Sequence, residues 1–216
     1  ISMDNDFFKK AAGKDLVFMD LETFNVNLNF YNNRPWQVGM IRVVKNKIQD
    51  RFDEMVKWDC GLKISDEAAR ITRFSQAKFN KLAKPEPEIF PTVYQWLDSC
   101  DYIVGHNILG FDMYLIRDWC KMNDKPYAHL FEKCIDTLSI GRGIRTEHYF
   151  KKQEENFFDY QYRMLTHRVK GIRTSLTELG KYYNIEHNYE TLHDAINDLE
   201  LNLKVWNKLK IDMSRV

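Results

Sequence analysis

Apolar and polar positions alternate most plainly over residues 15–23, DLVFMDLET. Read as a strand of period two, this stretch puts Leu16, Phe18, Asp20 and Glu22 on one face and Val17, Met19 and Leu21 on the other. Both faces open apolar, as in a strand buried in the middle of a sheet. Residues 25–35 are Asn-rich and loop-like. WQVGMIRVV (36–44) and IQDRFDEMVKW (48–58) read as strands joined by a turn at Lys45-Asn46-Lys47, an antiparallel hairpin. Two short helices follow, 65–74 capped by Ser65 and 75–83 ended by the Pro85–Pro87 segment. Residues 87–100 are expected to be helical after Pro91, with Val93, Trp96 and Leu97 on one stripe. DYIVGHN (101–107) is a short strand running into a Gly-containing loop, and 111–123 an amphipathic helix with Leu115, Trp119 and Met122 inward. KCIDTLSI (133–140) reads as a further buried strand.

Towards the end, Ser175 caps a short helix, SLTELGKYYN. Thr191 and Asp194 have capping-box spacing and open a helix over 192–210, whose Ala195, Leu199, Leu203 and Trp206 form an apolar stripe. The pattern predicts an α/β fold: a mixed sheet with 15–23 central, the hairpin beside it, strands at 101–105 and 133–138 parallel to it, and helices on both faces. Residues 3–14 read as a polar, loosely docked start, and Ile1-Ser2 ahead of Met3 as a cloning remnant outside the fold.

Composition narrows this picture. The 216 residues suit one domain, 44% hydrophobic and 29% charged, an ordinary globular balance. A net charge of +1 excludes coating of polyanions by bulk charge, so nucleic-acid binding requires a local cluster. Cys60, Cys100, Cys120 and Cys134 fit neither a zinc ribbon nor a dense disulfide framework and suit a reducing cytoplasm. With no long apolar run and no secretory signal, a membrane location is not expected. Residues 141–174 carry eight Lys or Arg against four acids, with six Tyr or Phe interleaved. They read as an insertion, or an excursion facing the substrate, on a single domain spanning 1–216.

The chemistry begins with Asp20 and Glu22, two carboxylates on one face of a buried strand end. Like-charge repulsion and desolvation oppose that pairing unless a cation lies between them, and a divalent metal with oxygen ligands fits. Asp112 in the first turn of a helix and Asp198 early in the last helix complete a set of four. Such a set can hold two Mg²⁺ or Mn²⁺ ions for phosphoryl chemistry, with His193 near enough to take a water's proton. On a helix His193 and Asp198 would lie some 140° apart, so His193 must reach the site from the helix start or the preceding loop. Asp194 reads as a cap. An alternative, a metal phosphohydrolase built on the His193-Asp194 pair, needs more His ligands on a helical scaffold.

Three motifs carry a resemblance that spans nearly the whole chain: Asp20-Leu21-Glu22-Thr23, Gly105-His106-Asn107 through Phe111-Asp112, and His193 to Asp198 with H-x4-D spacing. Together they resemble the DEDDh 3′–5′ exonucleases of the ribonuclease H-like superfamily. The Asn107-to-Asp112 spacing of five is similar to polymerase-associated and phage-type stand-alone branches rather than replicative proofreading subunits. The resemblance implies a ribonuclease H-like mixed sheet with helices on both faces, and metal-dependent removal of nucleotides from 3′ ends of single-stranded DNA, releasing 5′-monophosphates. It implies that Asp20, Glu22, Asp112 and Asp198 hold two Mg²⁺ or Mn²⁺ and that His193 deprotonates water. Thr23 and Phe24 would meet the terminal nucleotide by backbone and ring contacts, and His106 and Asn107 would line the same pocket. The basic residues of 141–174, Lys151 and Lys152 among them, would bind phosphates while Tyr149, Phe157 and Tyr160 stack bases. The expected partner is nucleic acid with a free 3′ end, with a polymerase or replication partner possible. Two rival functions use the same features: an RNA-trimming exoribonuclease of the oligoribonuclease kind, and an accessory nucleic-acid-binding subunit of a replication or repair complex.

Overall fold

A computed structural model describes residues 11 and 13–215, so the expected start over residues 3–14 lies mostly outside the described residues, and Ile1-Ser2 entirely so. Strand β1 (Asp15–Thr23) sits inside a six-stranded mixed sheet of order β4-β3-β2-β1-β5-β6. It pairs antiparallel with β2 (Pro35–Val44) and parallel with β5 (Tyr102–Gly105). Beyond β2 lie β3 (Lys47–Lys57), antiparallel to it, and the two-residue β4 (Lys84–Pro85); beyond β5 lies β6 (Cys134–Asp136), parallel to it. The hairpin closes through Lys45 and Asn46, at φ 50° and 65°. Two left-handed residues in a two-residue loop match the twist of the strands they join.

The two faces of β1 enter two separate cores. Val17, Met19 and Leu21 join a cluster with α3 (Glu86–Ser99) and α4 (Asp112–Met122). Leu16 and Phe18 join a second with α6 (Thr137–Arg145), α7 (Phe157–Thr166), α8 (Leu176–Tyr182) and α9 (Ala195–Ser214). The short helices α1 (Asp66–Thr72) and α2 (Gln76–Leu82) precede β4, capped by Ser65 and Ser75, and α5 (Ala128–Glu132) precedes β6. No helix among the described residues is long and apolar enough to cross a membrane.

Four local expectations are corrected. Helix α3 begins at Glu86 and runs through Pro91, because the Glu86 carboxylate is held by Trp119 Nε1 (2.7 Å) and Asn123 Nδ2 (3.0 Å), anchoring the first turn. Met122 is 44% exposed at the end of α4, while Leu115 and Trp119 are buried. Residues 137–140 are helical: Asp136 ends β6 and caps α6, accepting from Leu138 N. The capping box at Thr191 does not form. Thr191 lies in a 3-10 turn (Tyr189–Thr191), His193 takes φ 72°, and α9 starts only at Ala195.

Gly39 on β2 lies opposite Asp20 and lets α9 approach the sheet: a Cβ added there would meet Ala195 Cβ at 2.6 Å. Gly39→Ala is expected to destabilise the protein by about 1–3 kcal/mol in denaturant unfolding, the usual range for overpacking. Ala195→Gly in the same chain should recover part of that loss, since the two positions share one contact. Equal stability of Gly39→Ala and wild type would show that the helix does not rest on this close approach.

Candidate active site

Strand β1 runs past the end of β5, with Phe18–Val104 as its last pair, so its final residues extend beyond the parallel pairing. There the strand offers Asp20 and Glu22 on the same face. Helix α9 brings Asp198 across to them, and the three carboxylates present ligand atoms within 4.8 Å of one another. Asp112, first residue of α4 and 5% exposed, accepts from Leu21 N at 3.1 Å. Its carboxylate thereby replaces the neighbouring strand that β1 has lost at that point.

Every one of these acids is pushed toward the protonated form. Burial raises Asp20 well above the usual carboxylate range, and the charges of Glu22, Asp198 and Asp112 add to it. Burial, then Asp198, raises Glu22 to about 9. Asp112 rises to about 7 and Asp198 to about 6, both mainly through burial, with hydrogen bonds from the backbone pulling each back. Asp20 Oδ2 is buried and finds no hydrogen-bond donor among the described residues. An all-oxygen donor set with an orphaned buried carboxylate oxygen fits a hard divalent cation.

His193 stands in the loop two residues before α9, exposed, and its backbone N–H donates to Asp198 Oδ1 at 3.0 Å. Asp198 thus caps the loop that carries the histidine. Asp194 occupies the N-cap position without making a cap bond, and its Oδ1 accepts from Gln37 Nε2 at 3.2 Å. Gln37, buried opposite Glu22, also donates to Asp53 at 2.8 Å. Partial burial of the ring first, then the Arg73 charge, lowers the His193 pKa, which favours the neutral imidazole that can accept a proton.

The residues expected to meet substrate are placed differently from one another. Thr23 is 8% exposed and its hydroxyl donates to Asn25 O. Phe24 belongs to the core: it is 4% exposed, packs edge-on against Phe79, and its N–H and C=O pair with Arg34 and Ser65. His106 is also committed, with Nε2 donating to Thr174 O (3.0 Å) and Nδ1 accepting from Thr137 Oγ1 (2.9 Å); burial lowers its pKa to about 4. Asn107, at φ 62°, lines a cavity of about 590 Å³ with Arg142 and Arg168. Of the aromatic residues expected to stack bases, Tyr160 is fully buried with its hydroxyl donating to His148 O, and Tyr149 and Phe157 pack partly buried on the second core. Lys151 is paired with Glu154 at 3.2 Å.

One positioning residue escaped the sequence reading. Asp136, fully buried, accepts from Asn107 N (2.9 Å), Leu109 N (3.0 Å) and Leu138 N (2.9 Å), so it shapes the loop that leads into Asp112. The available signal was an acid at the end of an apolar run, the same signal that singled out Asp20.

The raised carboxylates set a sign for pH dependence. A carboxyl whose folded pKa lies above its unfolded value, near 4, contributes stability that is full below that value and is lost as pH rises through the folded one. Here the loss runs through about 6, 7 and 9. Buried His106 acts oppositely, but only below its unfolded value of about 6.5. In EDTA, the melting temperature should therefore fall between about pH 6.5 and 9, and added Mg²⁺ should flatten that fall. A flat or rising melting temperature in EDTA would mean the acids are not held together as described.

Comparison with known proteins bears on the same residues. The model of a family described as Exonuclease (RNase_T) matches residues 17–206. No curated protein matches the chain in sequence. Among solved structures, E. coli exonuclease I in complex with a dT13 oligonucleotide is similar at TM-score 0.71 and 18% identity, covering 93% of this chain and 42% of that one. Its complex with a dA16 oligonucleotide gives 0.66 and 20%, covering 88% and 39%. The zinc-bound form of the exonuclease I–single-stranded DNA complex gives 0.66 and 18%, with the same coverage. The chain thus spans about two fifths of the length of these structures. With the matched segment running from β1 into α9 and enclosing all four acids and His193, the chain belongs to the exonuclease family.

Proposed function

We propose that the chain shortens single-stranded DNA from its 3′ end and releases 5′-monophosphates, with Asp20, Glu22, Asp112 and Asp198 holding two divalent cations, Mg²⁺ or Mn²⁺. The observation that carries this reading is the convergence of Asp20, Glu22 and Asp198 to within 4.8 Å, with Asp20 Oδ2 buried and unpartnered. Bound cations of this kind lower the pKa of a water and stabilise a leaving oxygen. The similarity to exonuclease I complexes holding dT13 and dA16 supports a single-stranded DNA substrate.

The chain's own groups divide the remaining work. His193, exposed and with its amide bound to Asp198, accepts the proton of the attacking water, and its lowered pKa favours the neutral form that this needs. The hydrogen bond from its amide to Asp198 ties the loop to the acid cluster, so the imidazole stays near the reacting centre while its side chain can turn. Asp112 fixes the end of β1 through Leu21 N and keeps Asp20 and Glu22 in register. Asn107 borders the path a strand takes away from the acids. His106, with both ring nitrogens engaged, lines the same cavity as Asn107 and orients that loop.

A gel time course on 3′- and 5′-labelled single strands, DNA and RNA in parallel, tests the reading. With Mg²⁺ or Mn²⁺ the DNA should shorten from its 3′ end, and EDTA or the Asp20→Ala, Glu22→Ala double replacement should abolish shortening. His193→Ala is expected to lower kcat by about 10²–10⁴, the usual contribution of a general base. Failure of the metal-supplied protein to shorten either polymer would sink the proposal, and full activity of His193→Ala would remove that residue from the mechanism.

A further inference from the structure

Beside His193 lies a cavity of about 280 Å³ whose wall includes Arg73, Ser75, Lys78, Trp36 and Asn197. Arg73 is the C-cap of α1 and is held at φ 55°, ψ 39°. That left-handed conformation favours glycine, and an arginine placed there is strained by its own Cβ. Strain of this kind points toward what the side chain does. The Arg73 guanidinium makes no hydrogen bond or ion pair among the described residues, yet lies close enough to His193 for its charge to be felt there, after burial. Asp194, the acid in the same wall, accepts a hydrogen bond from Gln37, which also holds Asp53. Trp36, on the same wall, has a buried indole N–H that finds no partner among the described residues.

A guanidinium with no partner among the described residues, sharing a cavity wall with the histidine whose amide is bound to Asp198, is informative in itself. A phosphodiester approaching those acids meets repulsion on every side from which no cation offsets it. The guanidinium presents a planar fork of N–H donors that matches two phosphate oxygens. We infer that this cavity is an anion site for one phosphodiester group of the substrate strand, next to the nucleotide at the acid cluster, with Arg73 as the phosphate-binding side chain and Lys78 as a second cation at its rim. The inference rests on the exonuclease reading above and adds a specific contact to it.

Arg73→Gly supplies a clean test, because glycine suits φ 55° and the fold should be no less stable. Affinity for a fluorescent dT oligonucleotide would be measured by anisotropy in EDTA across a salt series, beside thermal melts. Arg73→Gly should weaken binding about tenfold, as loss of a charge-assisted hydrogen bond does, and reduce the salt slope by about 0.7, the value for one phosphate on a single strand. Arg73→Gln should behave like Arg73→Gly, and Arg73→Lys should restore part of the affinity. In turnover the loss should fall more on KM than on kcat. Affinity and salt slope equal to wild type in Arg73→Gly or in Arg73→Gln would overturn the inference alone. A wild-type protein that neither binds nor shortens the strand would overturn the exonuclease reading with it.

Discussion

Three carboxylates gathered within 4.8 Å, with Asp112 close enough for its charge to reach Asp20 and Glu22, are the constraint on which this structure turns. Their mutual repulsion and desolvation push each toward its neutral form, most strongly at Asp20 and Glu22 on the central strand. A fold that gathers such groups must oppose their separation from several directions, because no single contact offsets like charges at this range. The scaffold does so with backbone. β1 is pinned between β2 and β5, Asp112 takes the free amide of Leu21, and Asp198 takes the amide of His193. Asp112 and Asp198 are thereby tied to the main chain outside their own helices, and Asp20 and Glu22 are placed by the strand that carries them.

The same logic extends one shell outward. Asp136 gathers the amides of Asn107, Leu109 and Leu138, fixing the turn from β5 into α4 that delivers Asp112. Gln37 spans Asp53 and Asp194, joining the hairpin to the start of α9. The absence of a side chain at Gly39 lets that helix lie close enough for Asp198 to reach β1. Buried polar groups of this kind are worthwhile only when satisfied, and here the satisfied ones hold the unsatisfied Asp20 oxygen in place.

Much of this was legible in the chain because it is local. The alternation of DLVFMDLET determines β1, both its faces and the side on which Asp20 and Glu22 emerge; the hairpin and the Ser65, Ser75 and Ser175 caps follow from equally short-range rules. What was not legible depends on residues far apart in sequence. Pro91 should delay α3, but Trp119 and Asn123 hold Glu86 and start the helix early. Leu138 and Ile140 suit a strand as well as a helix, and the Asp136 cap decides between them. The Thr191 box satisfies a spacing rule, yet His193 in the left-handed region and the Gln37–Asp194 bond place the helix start three residues later. Phe24 sits beside the motif in sequence while its ring turns into the core.

Charge shows the difference between counting and placing. With a net charge of +1 the chain has no long-range pull on a polyanion, and screening confines each charge to about 8 Å at physiological salt. The basic run of 141–174 looks in sequence like the remedy, but much of it is spent within the fold. Arg142 donates to the Met164 and Leu165 carbonyls, Arg163 pairs with Glu155, Lys151 pairs with Glu154, and Arg145 holds the Arg173 carbonyl and lies over Tyr182. These side chains fasten α6 and α7 to their surroundings. A guanidinium left without a partner among the described residues belongs to Arg73, which shares a cavity wall with His193 at the end of a short helix that composition gives no reason to notice. For a site built from repelling carboxylates, the useful positive charge is the one the fold leaves unpaired within reach of the cluster, and that quantity exists only in three dimensions.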